Sequence, residues 1–209
     1  DIDPHATLPQ KLELQLDGAK TGAVLTCTIK VERELAARDA ARIANKLMTR
    51  LKAARQVFDD KDFPHDNRSL FNDTALHTKD HDDPRKHTTK YPWMRLSQLT
   101  AESKVFVDGT DSNDVVQGAL KDCYLLGALS VVATRKDLVS ALFVTMNQAL
   151  GVYQVRFFKN EWLVVTIDDY VPTINKQPVY GRRSDRSEFW VPLVEKAYAK
   201  LHGTYESIE

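Results

Sequence analysis

Between Lys11 and Val31 apolar and polar positions alternate twice, first in Leu12-Glu13-Leu14-Gln15-Leu16 and then in Val24-Leu25-Thr26-Cys27-Thr28-Ile29, with Asp17-Gly18 and Gly22 between the two runs. Alternation at period two presents one face to a core and the other to water, so this stretch predicts a β-hairpin. From Glu32 to Phe58 the period lengthens. Leu35, Ile43, Leu47, Leu51, Ala54 and Phe58 recur at three-, four- and eight-residue steps among arginines and lysines, which predicts an amphipathic helix. Asp59 to Tyr91 then loses periodicity. It is polar, broken by Phe63-Pro64 and Pro84, and predicts irregular chain.

A second body of pattern begins near Tyr91-Pro92-Trp93. Leu125, Leu126, Leu129, Val132 and Ala133 follow helical spacing and predict a buried helix from Cys123 to Thr134. Asp137 to Thr145 predicts a second, shorter helix. Val152 to Phe158 and Glu161 to Ile167 alternate on either side of Lys159-Asn160, the signature of a hairpin closed by a two-residue turn. Pro192 to Leu201 gathers Leu193, Val194, Ala197, Tyr198 and Leu201 on one helical face, with Gly203 as the stop. Helices beside a small antiparallel sheet make the expected class α+β.

A chain of 209 residues can bury a substantial core in one or two domains. Its 29 Lys plus Arg match its 29 Asp plus Glu, so no global basic field argues for nucleic acid and no acidic excess argues for disorder. Cys27 and Cys123 are too few and too far apart to form a disulfide framework, which points to a reducing, cytoplasmic compartment. The longest nearly apolar run, Tyr124 to Ala133, is short of the roughly 20 residues a membrane span needs. The start carries no signal-peptide pattern and no initiator Met, so a fragment or a processed chain is expected. His77, Asp80, His81, Asp82, Asp83 and His87 cluster in the irregular stretch without compact metal-ligand spacing, and read as a solvated loop instead of a zinc site.

The stretch with the clearest chemistry is Gln117-Gly118-Ala119-Leu120-Lys121-Asp122-Cys123-Tyr124-Leu125-Leu126. It sets a cysteine where a loop becomes an apolar helix. Unpaired N–H groups and the positive dipole end at a helix start favour a thiolate there. Gln117, six residues earlier, can donate to the oxyanion that forms when sulfur attacks a carbonyl. Asp122 stands just before the helix and is expected to cap it. Cys27, mid-strand between two threonines, has no such surroundings. Val107-Asp108-Gly109-Thr110-Asp111-Ser112-Asn113-Asp114 packs oxygen donors into a short loop, the ligand type of calcium and equally the composition of a plain turn. Trp162, Phe189, Trp190 and Tyr198 read as core aromatics, and Asp168-Asp169 as a structural strand end.

The Gln-Gly-x-x-x-Asp-Cys-aromatic-Leu-Leu run resembles the active-site segment of calpains, the papain-like intracellular cysteine proteases. Phe106-Val107-Asp108-Gly109, Glu161-Trp162, Ile167-Asp168-Asp169-Tyr170-Val171-Pro172, Ser187-Glu188-Phe189-Trp190 and Glu195-Lys196-Ala197-Tyr198-Ala199-Lys200 follow in the family's order. The resemblance runs from about Phe58 to Glu209. Lys121 and Tyr124 depart from it, because animal calpains usually carry Gly and Trp at these positions.

The resemblance implies a calpain-type, papain-like catalytic subdomain over residues 58–209, preceded over residues 1–57 by the end of an upstream domain, a hairpin and a linking helix. It implies a calcium-regulated endopeptidase acting on protein substrates, with Cys123 as nucleophile and Gln117 in the oxyanion hole. Calcium would be held by Val107, Gly109, Asp114 and Glu188. The base histidine and its orienting Asn belong to a following second subdomain, and His202 matches no catalytic histidine. The cytoplasm is the expected location, with the cytoskeleton as a neighbour. The contrasting expectation is a calpain-like scaffold module inside a larger assembly, without proteolytic activity.

Overall fold

A computed structural model describes residues 21–74, 90–100, 102–106, 115–184 and 187–209. In chain order the elements are helices α1 (Thr21–Ala54) and α2 (Asn67–Leu70), strand β1 (Trp93–Arg95), α3 (Leu96–Leu99), β2 (Val115–Val116), α4 (Cys123–Ala133) and α5 (Lys136–Leu142). They continue with β3 (Phe143–Asn147), β4 (Val152–Lys159), β5 (Glu161–Ile167), β6 (Tyr170–Ile174), β7 (Gln177–Pro178), β8 (Arg182–Arg183) and α6 (Trp190–His202). The strands form small antiparallel sheets in the orders β1-β6-β7, β2-β8 and β3-β4-β5. Helices against such sheets make the molecule α+β.

The first correction falls at the start of α1. Val24 to Ile29, expected as a strand, is helical, and Cys27 lies in that helix. No glycine or proline interrupts the chain from Ala23 to Ala54. Extending a nucleated helix adds one hydrogen bond per residue fixed, so the strong helical pattern after Glu32 overrides the weaker alternation before it. The other half of the expected hairpin, Leu12 to Leu16, lies outside the described residues. At its far end the helix stops before Phe58, where Arg55 turns left-handed at φ 53°.

The helix also buries only part of the stripe its apolar residues mark, with Leu47 and Leu51 half-buried on the same face as Ala40 and Ala44. Ala40 and Ala44 are buried, whereas Leu35 and Ile43 are exposed. The cause is the closeness of the sheet beneath. α1 packs on β3, β4 and β5, and the buried Gln154 of β4 donates from Nε2 to the Ala40 carbonyl at 2.9 Å. A side chain that reaches helix backbone leaves room only for alanine at the contact.

β4 is therefore covered on both sides, which explains why Val152, Tyr153, Gln154 and Val155 are all buried in succession. Gln154 faces α1, while Tyr153 and Val155 join Val165 and Ile167 of β5 in the main core, with α6 against them. In the hairpin, Phe158 lies opposite Trp162 and Lys159 opposite Glu161. Asn160 alone stands at the tip with φ 62°, one residue fewer than expected. The second short helix ends at Leu142, and Phe143 to Thr145 pair with β4 as strand. β-branched and aromatic residues at that point fit the pleated edge better than another helical turn.

α6 runs through the middle. Trp190, Val191, Leu193, Val194 and Ala197 are buried, and so are the charged Glu195 and Lys196. It ends at Gly203, whose φ of 110° no other residue type adopts readily. Lys196 pairs with Asp168, Lys200 with Asp60, and Arg95 with Asp169, so Asp168 is a buried anchor for α6 and Asp169 one for the end of β1. No helix of the described residues is long and apolar enough to cross a membrane.

Candidate active site

The loop from Gln117 to Asp122 leaves β2 and enters α4, and it is held from below by the backbone at Val179–Gly181. A Cβ on Gly118 would stand 2.2 Å from the Val179 carbonyl oxygen and 2.3 Å from that of Tyr180, so only glycine allows this approach. The Ala119 N–H donates to the Val179 carbonyl at 3.0 Å, and Leu120 is buried. Gln117 is exposed and donates from Nε2 to the Leu120 carbonyl at 3.0 Å. That bond orients the amide along the loop and uses one of the two hydrogens on its nitrogen.

Cys123 is the first residue of α4, and its free thiol is exposed. Leu125, Leu126, Leu129 and Ala133 bury the opposite side of the helix in the core, which fixes the sulfur at the outer end. The Asp122 carbonyl accepts from Leu125 at 2.9 Å and Leu126 at 3.1 Å. The N–H groups of Cys123 and Tyr124 belong to the first turn, where no carbonyl of the helix can reach them. Lys121 is exposed beside the loop. Tyr124 donates from its hydroxyl to the Ile208 carbonyl at 3.1 Å, tying the start of α4 to the end of the described chain.

Asp122 does not cap the helix. Its carboxyl makes no bond to the first-turn N–H groups; it is fully buried and meets the carboxyl of Glu195 on α6 instead. Burial pushes the Asp122 carboxyl above its ordinary value, against the lowering effect of its bond with Glu195. Burial, and then the proximity of Asp122, push Glu195 well above its own. Pattern reading missed Glu195, although a signal existed: Glu195 and Lys196 are adjacent charges inside an otherwise apolar helix.

The remaining expected site residues are only partly brought together. Glu188 is buried and ion-paired with Arg183 at 3.0 Å, next to a bridge with Lys104. Val107, Gly109 and Asp114 lie outside the described residues, as do His77, Asp80, His81, Asp82, Asp83 and His87. The Glu188 carboxylate is a hard oxygen donor of the kind calcium takes, already charge-balanced by Arg183. Asp59, His65 and Asp168 bring ligand atoms within 4.8 Å of one another. They suit a metal poorly, because Asp168 is occupied by Lys196 and by the N–H groups of Asp60 and Tyr170 at 2.8 and 2.9 Å. His202 directs Nδ1 to the Tyr198 carbonyl of its own helix at 3.0 Å, and His65 stacks on Tyr170.

The family model described as "Calpain family cysteine protease" matches residues 58–209. The chain belongs to the calpain family. Among curated calpains, the calpain-type cysteine protease DEK1 of Zea mays is 31% identical over 217 residues, covering 100% of this chain and 9% of that protein. DEK1 of Arabidopsis thaliana is 35% identical over 160 residues, 73% of this chain and 7% of that protein. Calpain-B of Drosophila melanogaster is 33% identical over 158 residues, 73% of this chain and 16% of that protein. The chain thus spans a small fraction of the calpains it matches.

Proposed function

We propose that residues 58–209 form the cysteine-bearing, papain-like subdomain of a calpain-type endopeptidase, and that residues 1–57 belong to an upstream part of the same polypeptide. The observation that carries this reading is the exposed thiol of Cys123 on the first residue of α4, above a loop that tolerates only glycine at its base. In the reaction, the Cys123 sulfur attacks the carbonyl carbon of a peptide bond. The oxyanion accepts from the Cys123 N–H and from Gln117 Nε2. The amine leaves with a proton from a histidine, and water then hydrolyses the thioester. That histidine and the Asn that orients it come from a second subdomain. The outer face of α4 supports this, since Tyr124, Gly127, Ala128 and Val131 form an exposed apolar row suited to burial against further polypeptide.

Calcium belongs to the same proposal, with Glu188 joined by Val107, Gly109 and Asp114; when bound, the ion would supply fixed positive charge among these oxygen donors. The cytoplasm, with the cytoskeleton as a neighbour, is the matching location. The test is labelling of the full-length protein by a thiol-reactive peptide, with and without calcium. Calcium-dependent labelling at Cys123 is expected, lost in Cys123→Ser, with hydrolysis in Gln117→Ala down by about 10²- to 10³-fold. A scaffold module would stay unlabelled under both conditions.

A further inference from the structure

Behind the thiol lies a pair of acids for which peptide hydrolysis has no direct use. Asp122 is 0% exposed and Glu195 1% exposed, and their carboxyl groups lie close enough to act on one another. Two carboxylates offer only acceptors, so a hydrogen bond between them requires one proton. Glu195 Oε1 accepts from the Gly181 N–H at 2.8 Å, while neither Asp122 oxygen meets an ordinary donor among the described residues. The groups that face the pair are Glu209 and Tyr124 beside Asp122, and Tyr180 and Tyr205 beside Glu195. These neighbours are acidic or neutral and supply no counter-charge, and two adjacent buried carboxyls of this kind do not both ionise.

The pair also sits at a mechanical junction. Asp122 ends the Gln117 loop and begins α4, Glu195 projects from α6, and Gly181 continues the backbone whose carbonyls at Val179 and Tyr180 hold Gly118 and Ala119. We propose that Asp122 and Glu195 share a single buried proton and that this O–H···O bond positions Cys123 and its loop for attack, an inference that rests on the proteolytic reading of Cys123. Asp122 and Glu195 are positioning residues in this scheme. The direction of the pH effect follows. Both carboxyls are held above their unfolded values of about 4, so the stability they contribute is complete below those values. It is lost as pH rises through the folded pair's own titration, when the proton leaves to solvent and two charges remain inside.

The experiment is amide hydrogen exchange of the segment 117–126 in the full-length protein, read as protection relative to intrinsic exchange, together with peptide-electrophile labelling of Cys123. Glu195→Gln keeps the acceptor for Gly181 and gives Asp122 an N–H donor that does not titrate. As pH rises from about 5 to about 8 the native segment is expected to lose about tenfold more protection than in Glu195→Gln. Asp122→Asn should flatten the profile in the same way. Glu195→Ala should cut labelling about tenfold or more by leaving Asp122 buried without a partner, and Glu195→Gln should restore most of it. Parallel pH slopes in the native protein, Glu195→Gln and Asp122→Asn would overturn the shared proton, and if Cys123 is labelled all the same the proteolytic reading stands. Divergent slopes with a native protein that is never labelled would leave the shared proton standing and overturn proteolysis.

Discussion

Two glycines show how differently one residue type can be used within ten positions. Gly118 lies where an added Cβ would meet backbone oxygens at 2.2 and 2.3 Å, whereas at Gly127 such an atom would meet nothing within 4 Å. Gly118→Ala is therefore expected to destabilise by about 1–3 kcal/mol through forced backbone displacement and to slow labelling of Cys123, because the loop that moves is the one that holds Gln117. Gly127→Ala, on the exposed side of α4, should stabilise by about 0.5–1 kcal/mol through helix propensity. Paired denaturant unfolding of the two variants checks both signs. The candidate nucleophile was legible at this scale because Cys123 precedes an apolar stripe instead of lying within it. The Asp122 partner was not, since an aspartate just before a helix reads as a cap in any sequence.

Among the elements, α6 depends most on pairs distant in sequence. Lys196 and Asp168 have side chains 0% and 1% exposed, and the ammonium also accepts cover from the Trp93 ring at 5.7 Å. Removing one charge leaves the other buried without compensation, so Lys196→Met is expected to cost about 3–5 kcal/mol. Asp168 accepts from the Asp60 N–H on Oδ2 and from the Tyr170 N–H on Oδ1, and an amide can keep only one of these two acceptors, so the double variant Lys196→Met with Asp168→Asn should recover only part of that loss. A double-mutant cycle by chemical denaturation measures the recovery. The buried apolar face of α6 was readable from its spacing. The partners of its lysines were not, because an intrahelical pattern carries no information about residues 28 and 140 positions away.

For the whole molecule, the packing of α1 on the β3-β4-β5 sheet sets which surface is open. Ala44 is 1% exposed and Ile43 61% exposed, the reverse of what side-chain size suggests. Ala44→Leu should lever the helix from the sheet at a cost of about 1–3 kcal/mol, with increased hydrogen exchange in both α1 and β5. Ile43→Lys should stay within about 0.5 kcal/mol of the native protein. Exchange rates that leave α1 and β5 unchanged in Ala44→Leu would show that the helix does not rest on the sheet through its alanines.

The order of motifs, the helical stripes behind Cys123 and through Leu193 to Leu201, and the β4–β5 alternation were determined by the sequence alone, because period and spacing are local properties. So was family membership, which rests on collinear residues and not on coordinates. Tertiary structure alone decided that Val24 to Ile29 is helix, that Ala40 and Ala44 are buried while Leu35 and Ile43 are exposed, and that Asp122 turns inward to Glu195. Each of these depends on what a distant segment brings within a few ångströms, and a one-dimensional pattern cannot encode the distance between surfaces that meet only after the chain has folded.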